Sequence, residues 1–278
     1  ATENGGGFTY FDNSRENKLS QFYQDPVENP QSEQLFALGG DWFAKLNENA
    51  RTTYGTGCFL QEFVSENFSA KIEQYLILSG GAKVYEIKIE GVKTPFTLAL
   101  TIDPALSDGI KTNVFSTQNL YDAVIFRNLS SNSKLILKAV GGKAHDNAAA
   151  LLSRLKNCPR RILSLVEVKQ LVGEIEVNRD GVYRFILGAD DYIVALQKAE
   201  LQEEKEQSTD FFKNMSKFKI DTPFESLNAL FNDFLPAQIV CSRFFGRLGF
   251  YQTGGAIGFR DQLQDCLAVM KISPRLAR

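Results

Sequence analysis

The stretch GFYQTGGAIGFRDQLQD, running from Gly249 to Asp265, sets Tyr251, Gln252, Arg260, Asp261, Gln262, Gln264 and Asp265 around the glycines Gly254, Gly255 and Gly258. Glycines free the backbone of a loop and let a ligand approach it closely. Asp261 and Asp265 stand four apart, so on a helix their carboxylates share one face. Three chemistries suit such a cluster. The two acids can answer the positive end of a helix, with Arg260 pairing to either of them. The glycines can cradle a phosphate, but no GxxxxGK[ST] pattern or preceding parallel strand supports a nucleotide loop. The third is carbohydrate binding. Neighbouring sugar hydroxyls both donate and accept, which suits Arg, Asp and Gln side by side, and a Tyr face can stack on the ring. The two carboxylates could be a glycosidase acid and base, but two acids on adjacent turns of one helix flank a sugar poorly from opposite sides.

A loop of this kind needs elements on both sides. The spacing predicts a helix ending near Gly246 and another beginning near Phe259, with Leu263, Leu267 and Met270 facing a core. Upstream, Thr222 and Glu225 have capping-box spacing and Pro223 is expected at the first helical position. Phe224, Leu227, Leu230, Phe231, Phe234, Leu235 and Ile239 then follow helical spacing, and Pro236 should kink the helix. Before that, IVALQKAELQEEKEQSTDFFKNMSKF reads as a solvated connecting helix whose acidic run is a wet face.

From about residue 60 to 190 the period is two. In KVYEIKIE, Tyr85, Ile87 and Ile89 fall on one face and Glu86, Lys88 and Glu90 on the other. FSAKIEQYLIL precedes it across Ser79-Gly80-Gly81, a hairpin turn. PFTLALTI alternates as well, and DAVIF, KLILKAV, RILSLVEV and GVYRFIL are further strand candidates. One helix, DNAAALLSRLKN, is expected among them. Short strands separated by Gly, Asn and Asp turns predict an antiparallel β-sandwich.

Composition bounds the partners. Lys+Arg 31 against Asp+Glu 33 leaves a formal charge of -2, which marks neither a nucleic-acid nor an anionic-membrane partner. No apolar run approaches the roughly 20 residues of a membrane helix. The opening ATENGGGFTYF has no basic or apolar leader region and no initiator Met, so the chain is read as a piece of something longer. Cys58, Cys158, Cys241 and Cys266 form no CxxC pair and are read as buried thiols in a reducing, cytoplasmic compartment. With His145 as the one histidine, a zinc site would lack ligands. His145 itself reads as a surface-loop residue ahead of a helix N-cap at Asp146, with no partner to orient it as a base.

The segment GFYQTGGAIGFRDQLQD resembles the signature of glycoside hydrolase family 94, the inverting glycoside phosphorylases, and most of all the β-1,2-glucan branch. GGGFTYFDNSRENKLSQFYQDPV, Gly5 to Val27, is similar to that family's opening motif, and TPFESLNALFNDFLPAQ to its first barrel helix. The resemblance implies a β-sandwich over residues 1–190, a helical linker over 191–220 and the first helices of an (α/α)6 barrel over 221–278. It implies cleavage of a β-glucan by inorganic phosphate, giving α-glucose 1-phosphate with inversion, or the reverse, with no metal or organic cofactor. Asp261 matches the aspartate that holds hydroxyls of the non-reducing-end sugar, with Arg260 and Gln252 beside it as substrate-binding residues. Some cellobiose-cleaving relatives carry an arginine just upstream; here that stretch is TGGAIG, which points away from cellobiose. The family's general acid lies downstream of this segment, so no catalytic residue is assigned and the chain alone is expected to be inactive. A homodimer is compatible with this reading. The rival reading is a non-catalytic carbohydrate-binding or scaffold protein.

Overall fold

The computed structural model describes residues 9–11, 18–21, 32–46, 50–106, 114–147, 149, 151, 171–196, 198–240, 259–275 and 277. Its strands are β1 (Glu33–Leu38), β2 (Phe43–Lys45), β3 (Arg51–Gly55), β4 (Cys58–Val64), β5 (Ser69–Ile77), β6 (Ala82–Glu90) and β7 (Phe96–Ile102). Then come β8 (Phe115–Asn119), β9 (Ala123–Asn128), β10 (Ser133–Ala139), β11 (Lys143–His145), β12 (Leu171–Val177) and β13 (Gly181–Gly188). The helices follow: α1 (Tyr192–Ala195), α2 (Lys198–Lys213), α3 (Glu225–Ala229), α4 (Leu235–Ile239) and α5 (Phe259–Ile272). A π-turn, Leu230–Phe234, joins α3 to α4.

The strands make two antiparallel sheets, ordered β11-β12-β7-β1-β2 and β3-β4-β5-β6-β13-β10-β9-β8. Their inner faces share one core, to which β6 contributes Tyr85, Ile87 and Ile89 and β7 contributes Phe96, Leu98, Leu100 and Ile102. The period-two register expected for β6 is therefore the observed one. Strand β1 gives no such alternation, because all six of its residues are buried. Its outer face lies under a second apolar layer, where Leu38 meets Ala99, Val172 and Leu151. Of the expected helix DNAAALLSRLKN, Ala149 and Leu151 are helical, and Asp146 and Asn147 precede it in non-helical backbone; the other residues, and the strand candidate RILSLVEV, lie outside the described residues.

The structure departs from expectation at His145, at helix α2 and at the cysteines. His145 is not in a loop: it ends strand β11, where pairing with β12 brings its ring 3.1 Å from Glu174 Oε2. Its Nδ1 accepts from the Asn147 amide at 3.1 Å, so Nε2 carries the proton and donates to Glu174. Helix α2 has the expected wet face, with Glu203 and Glu206 exposed, but its other side is docked. It lies on the outer face of the larger sheet, burying Leu201 and Phe212. Leu201 joins Ile193 and Leu196 against Tyr75, Ile77, Val84, Ile136 and Ile186. Cys58 and Cys266 are free thiols, half-buried rather than buried; Cys158 and Cys241 lie outside the described residues.

The hairpin between β5 and β6 turns at Gly80 and Gly81, with φ +57° at Gly81. Three elements meet on it. A Cβ at Gly81 would stand 2.1 Å from Phe11 Cε2, and one at Gly80 would stand 2.6 Å from Tyr192 Cδ1. The Ser79 hydroxyl donates to Glu204 of α2 at 2.6 Å. Gly81→Ala should therefore cost the left-handed penalty of about 1–2 kcal/mol and displace Phe11 as well. Gly91, at φ +72° with open space around its Cα, is the control that isolates the backbone cost. Chemical denaturation is expected to show Gly81→Ala less stable than Gly91→Ala; equal losses would mean that Phe11 contributes nothing there.

Candidate functional site

Of the residues singled out in the sequence, Arg260 and Asp261 stand at the start of α5. Arg260 is exposed on the first turn of that helix, and Asp261 follows it in helical backbone. Gln252 and the glycines of the loop lie outside the described residues. The helix begins at Phe259, as the sequence predicted. Arg260 and Asp261 therefore share one turn of backbone.

What holds α5 is clearer. Val269 and Ile272 are buried while Leu263, Leu267 and Met270 are exposed, which reverses the expectation that the latter three face a core. The inward stripe is Cys266, Val269 and Ile272, at helical spacing, and the other three residues fall on the opposite side of the cylinder. Position 261 precedes Ile272 by about three turns, a net rotation of only about 20°, so its Cα lies on the stripe that α5 turns inward. The end of the helix is fixed by backbone: the Lys217 amide donates to the Ile272 carbonyl at 3.3 Å, and Ser273 closes on Val269 at 2.7 Å.

Lys217 belongs to the segment between α2 and α3, which is stitched down by two asparagines four residues apart. The Asn232 side chain accepts from the Ile220 amide at 2.7 Å and donates to the Ile220 carbonyl at 2.8 Å. Asn228 does the same for Thr222, accepting at 2.9 Å and donating at 2.8 Å. Each asparagine thus supplies the donor and acceptor that a neighbouring strand would. The Thr222 hydroxyl is drawn to Asn228 at 2.8 Å, and so the expected capping box does not form. Phe224 takes the N-cap position with no side-chain cap, and Pro223 stays outside the helix. Pro236 does not break the helix. The π-turn widens the ladder just before it, and the Asn232 carbonyl, which a proline at 236 cannot serve, accepts from Lys219 Nζ at 2.8 Å.

Upstream, α2 is anchored by charge. Lys205 Nζ lies 2.7 Å from Glu73 and 2.9 Å from Glu86, and Arg184 Nε lies 2.7 Å from the other Glu86 oxygen. Burial opposes the ionised Glu86, but hydrogen bonds from Lys205 and Arg184 outweigh it and hold the carboxyl below its usual range. Burial likewise works against charged Lys205, and the two glutamates more than reverse it. Buried Lys138 donates to the carbonyls of Val194 and Leu196, at 2.5 and 3.1 Å, where the chain leaves α1. None of these positioning residues was singled out from sequence, although Glu73 and Glu86 sit on the sheet face opposite the core, where α2 offers Lys205.

Among the described residues no group of three or more His, Cys, Asp or Glu is placed to hold a metal ion, and no helix is long and apolar enough to cross a membrane.

Comparison with known proteins concentrates on this helical end. Residues 211–278 match the model of the Glycosyl hydrolase 94 superfamily, catalytic domain. A stretch of 60 residues, 22% of the chain, is 48% identical to the cyclic beta-(1,2)-glucan synthase NdvB of Rhizobium meliloti (strain 1021) and spans 2% of that protein's length. Among solved structures, a bacterial glucoamylase complexed with acarbose aligns with TM-score 0.48 and 9% identity over 84% of this chain and 39% of its own. The 4-alpha-glucanotransferase of Thermococcus litoralis aligns with TM-score 0.27 and 8% identity, over 61% of this chain and 31% of its own. Neither structural likeness is close enough to argue from. The sequence match is: over residues 211–278, the segment that holds Arg260 and Asp261, the chain carries the likeness to the glycosyl hydrolase 94 catalytic domain that its motifs announced.

Proposed function

We propose that this chain is part of an inverting glycoside phosphorylase or related glycosyltransferase that acts on β-glucans, with β-1,2-linked chains as the preferred substrate. The observation that carries this reading is the 48% identity to a cyclic beta-(1,2)-glucan synthase together with the family match over residues 211–278. In this reading residues 1–190 are the sandwich domain, 191–220 the linker and 221–278 the opening of an (α/α)6 barrel. Phosphate is the co-substrate, and no metal or organic cofactor is used. The site is cytoplasmic, in keeping with free Cys58 and Cys266.

In the mechanism, Asp261 acts as a charged acceptor for hydroxyls of the sugar at the non-reducing end. Arg260, next to it, favours the ionised carboxylate, and a charged acceptor makes the stronger hydrogen bond. Gln252 supplies a further polar contact from the loop. The sandwich and its docked helix α2 contribute rigidity: the Glu86–Lys205 pairs hold the linker, and the Lys217 amide holds the end of α5. A site on a rigid frame keeps its sugar-binding groups in place without an ordering cost at each binding event.

The test is release of sugar 1-phosphate by the full-length protein from sophorose, cellobiose and laminaribiose in phosphate buffer. Turnover of sophorose well above the other two is expected. Binding of the sugars with no phosphate-dependent product would assign the protein to the carbohydrate-binding reading instead.

A further inference from the structure

The family reading leaves unused a buried carboxylate inside the sandwich. Glu33 opens strand β1 on its inward face, in register with Leu35 and Ala37, and its side chain has no exposed surface. Its two oxygens serve different parts of the chain. Oε2 accepts from Lys83 Nζ at 2.6 Å and from the Tyr85 hydroxyl, both on β6 of the opposite sheet. Oε1 accepts from the Ser20 hydroxyl at 2.8 Å and from the Thr9 hydroxyl.

Thr9 and Ser20 are the two arms of one N-terminal strap. Tyr10 bridges Lys18, the Leu19 and Ser20 amides donate to the Thr9 carbonyl at 2.8 and 3.1 Å, and the Thr9 amide donates to Ser20 Oγ at 2.7 Å. The second arm is also paired with the chain after β7: Ala105 and Leu106 donate to the Leu19 and Lys18 carbonyls, each at 3.0 Å, and Gln21 donates to Asp103 at 2.9 Å. The first arm ends in Phe11, which lies on Gly81 at the corner where Tyr192 and Glu204 of the helical segment also rest.

We infer that Glu33 is the latch of a separable N-terminal strap: its carboxylate joins both arms of the strap to the opposite sheet, and releasing it frees the first arm from the Gly80–Gly81 corner while the sandwich stays folded. The asymmetry of the two oxygens is the reason. One of them holds the sheets together through Lys83 and Tyr85, and the other, among the described residues, bonds to the strap. The strap can then let go of Oε1 without disturbing the ion pair on Oε2. An opening of this kind is a sub-global transition, distinct from unfolding of the strands beneath it.

Hydrogen–deuterium exchange on the 278-residue chain tests this. In Thr9→Val with Ser20→Ala the latch keeps Lys83 and Tyr85 but loses both strap hydroxyls. Exchange of the Leu19 and Ser20 amides, which donate to the Thr9 carbonyl of the first arm, is expected to rise about tenfold to a hundredfold, the range of one charge-assisted hydrogen bond, while the Gln21 amide, which donates to the Asp103 carbonyl, stays protected. Exchange in β5 and β6 should stay at the parent rate. Glu33→Gln should raise strap exchange by at least as much; should it fail to fold, the double variant decides alone. Strap protection that is unchanged in the double variant, or that falls only in step with β5 and β6, overturns the inference.

Discussion

Asp261→Asn in the full-length enzyme is expected to lower kcat/KM by roughly tenfold to over a hundredfold and to leave the thermal midpoint where it was. The factor follows from a hydrogen bond to a charged group, which contributes about 1.5–3 kcal/mol, with each 1.4 kcal/mol worth about tenfold. Asparagine keeps the size and one acceptor but loses the charge. A carboxylate that only answers the helix dipole predicts the opposite split: in that case the substitution lowers the midpoint modestly and spares the kinetics. Steady-state kinetics and a melting curve on one variant separate the two. An intact kcat/KM beside a lowered midpoint would return Asp261 to a structural role.

The largest loss of stability should come from Lys83→Met. Lys83 is the counter-charge of Glu33, 2.6 Å away, with side-chain exposures of 11% and 0%. Removing one partner of a buried pair leaves the other uncompensated, at a cost of about 3–5 kcal/mol, against a usual total stability of about 5–15 kcal/mol. The pH dependence should change sign as well. In the parent, burial opposes ionisation of Glu33, but the Lys83 charge and the bonds from Lys83, Thr9 and Tyr85 outweigh it and lower its pKa. A lowered folded pKa gives stability that is present above the unfolded carboxyl pKa and is lost as pH falls through the folded one. Without Lys83, burial prevails and raises that pKa, so the variant should recover part of its deficit as the pH is lowered towards protonation of Glu33. Urea unfolding of both proteins across an acid pH series measures this. A deficit below about 1 kcal/mol, constant with pH, would show that the pair contributes no more than a surface one.

The strands that were legible in the sequence were those with one wet or polar face. Tyr85, Ile87 and Ile89 alternate with Glu86 and Lys88, and the register followed directly. Strand β1 was not legible, because a sheet covered on both sides erases the period of two and leaves six buried residues in a row. The polar partners inside the sandwich did leave a signal. Lys83 falls in the inward register of β6 and Glu33 in that of β1, and two opposite charges on apolar faces call for each other. Seeing that signal required knowing that β1 exists. On the helices, apolar spacing located the elements but not always their faces: Leu263, Leu267 and Met270, expected inward, are exposed, and Asn228 and Asn232 pair with backbone beside exposed Phe224, Leu227, Phe231 and Phe234. Of the residues that the motif singled out, Arg260 and Asp261 share the first turn of α5, whose start at Phe259 the loop glycines had marked.

The π-turn at Leu230–Phe234 has a consequence for which residues of this helix can share a face. Asn228, Asn232, Pro236 and Val240 recur every four residues, and an α-helix turned by about 100° per residue would carry the last of them about 120° away from the first. One residue of extra winding takes back about 100° of that drift, so the four positions realign to within about 20°. Pro236 and Val240 are indeed buried on the side where the asparagines bind backbone. Deleting a single residue from the π-turn would restore a regular ladder and swing Pro236 and Val240 out of line with Asn228 and Asn232. The extra residue therefore works as a phase correction between the two halves of the helix.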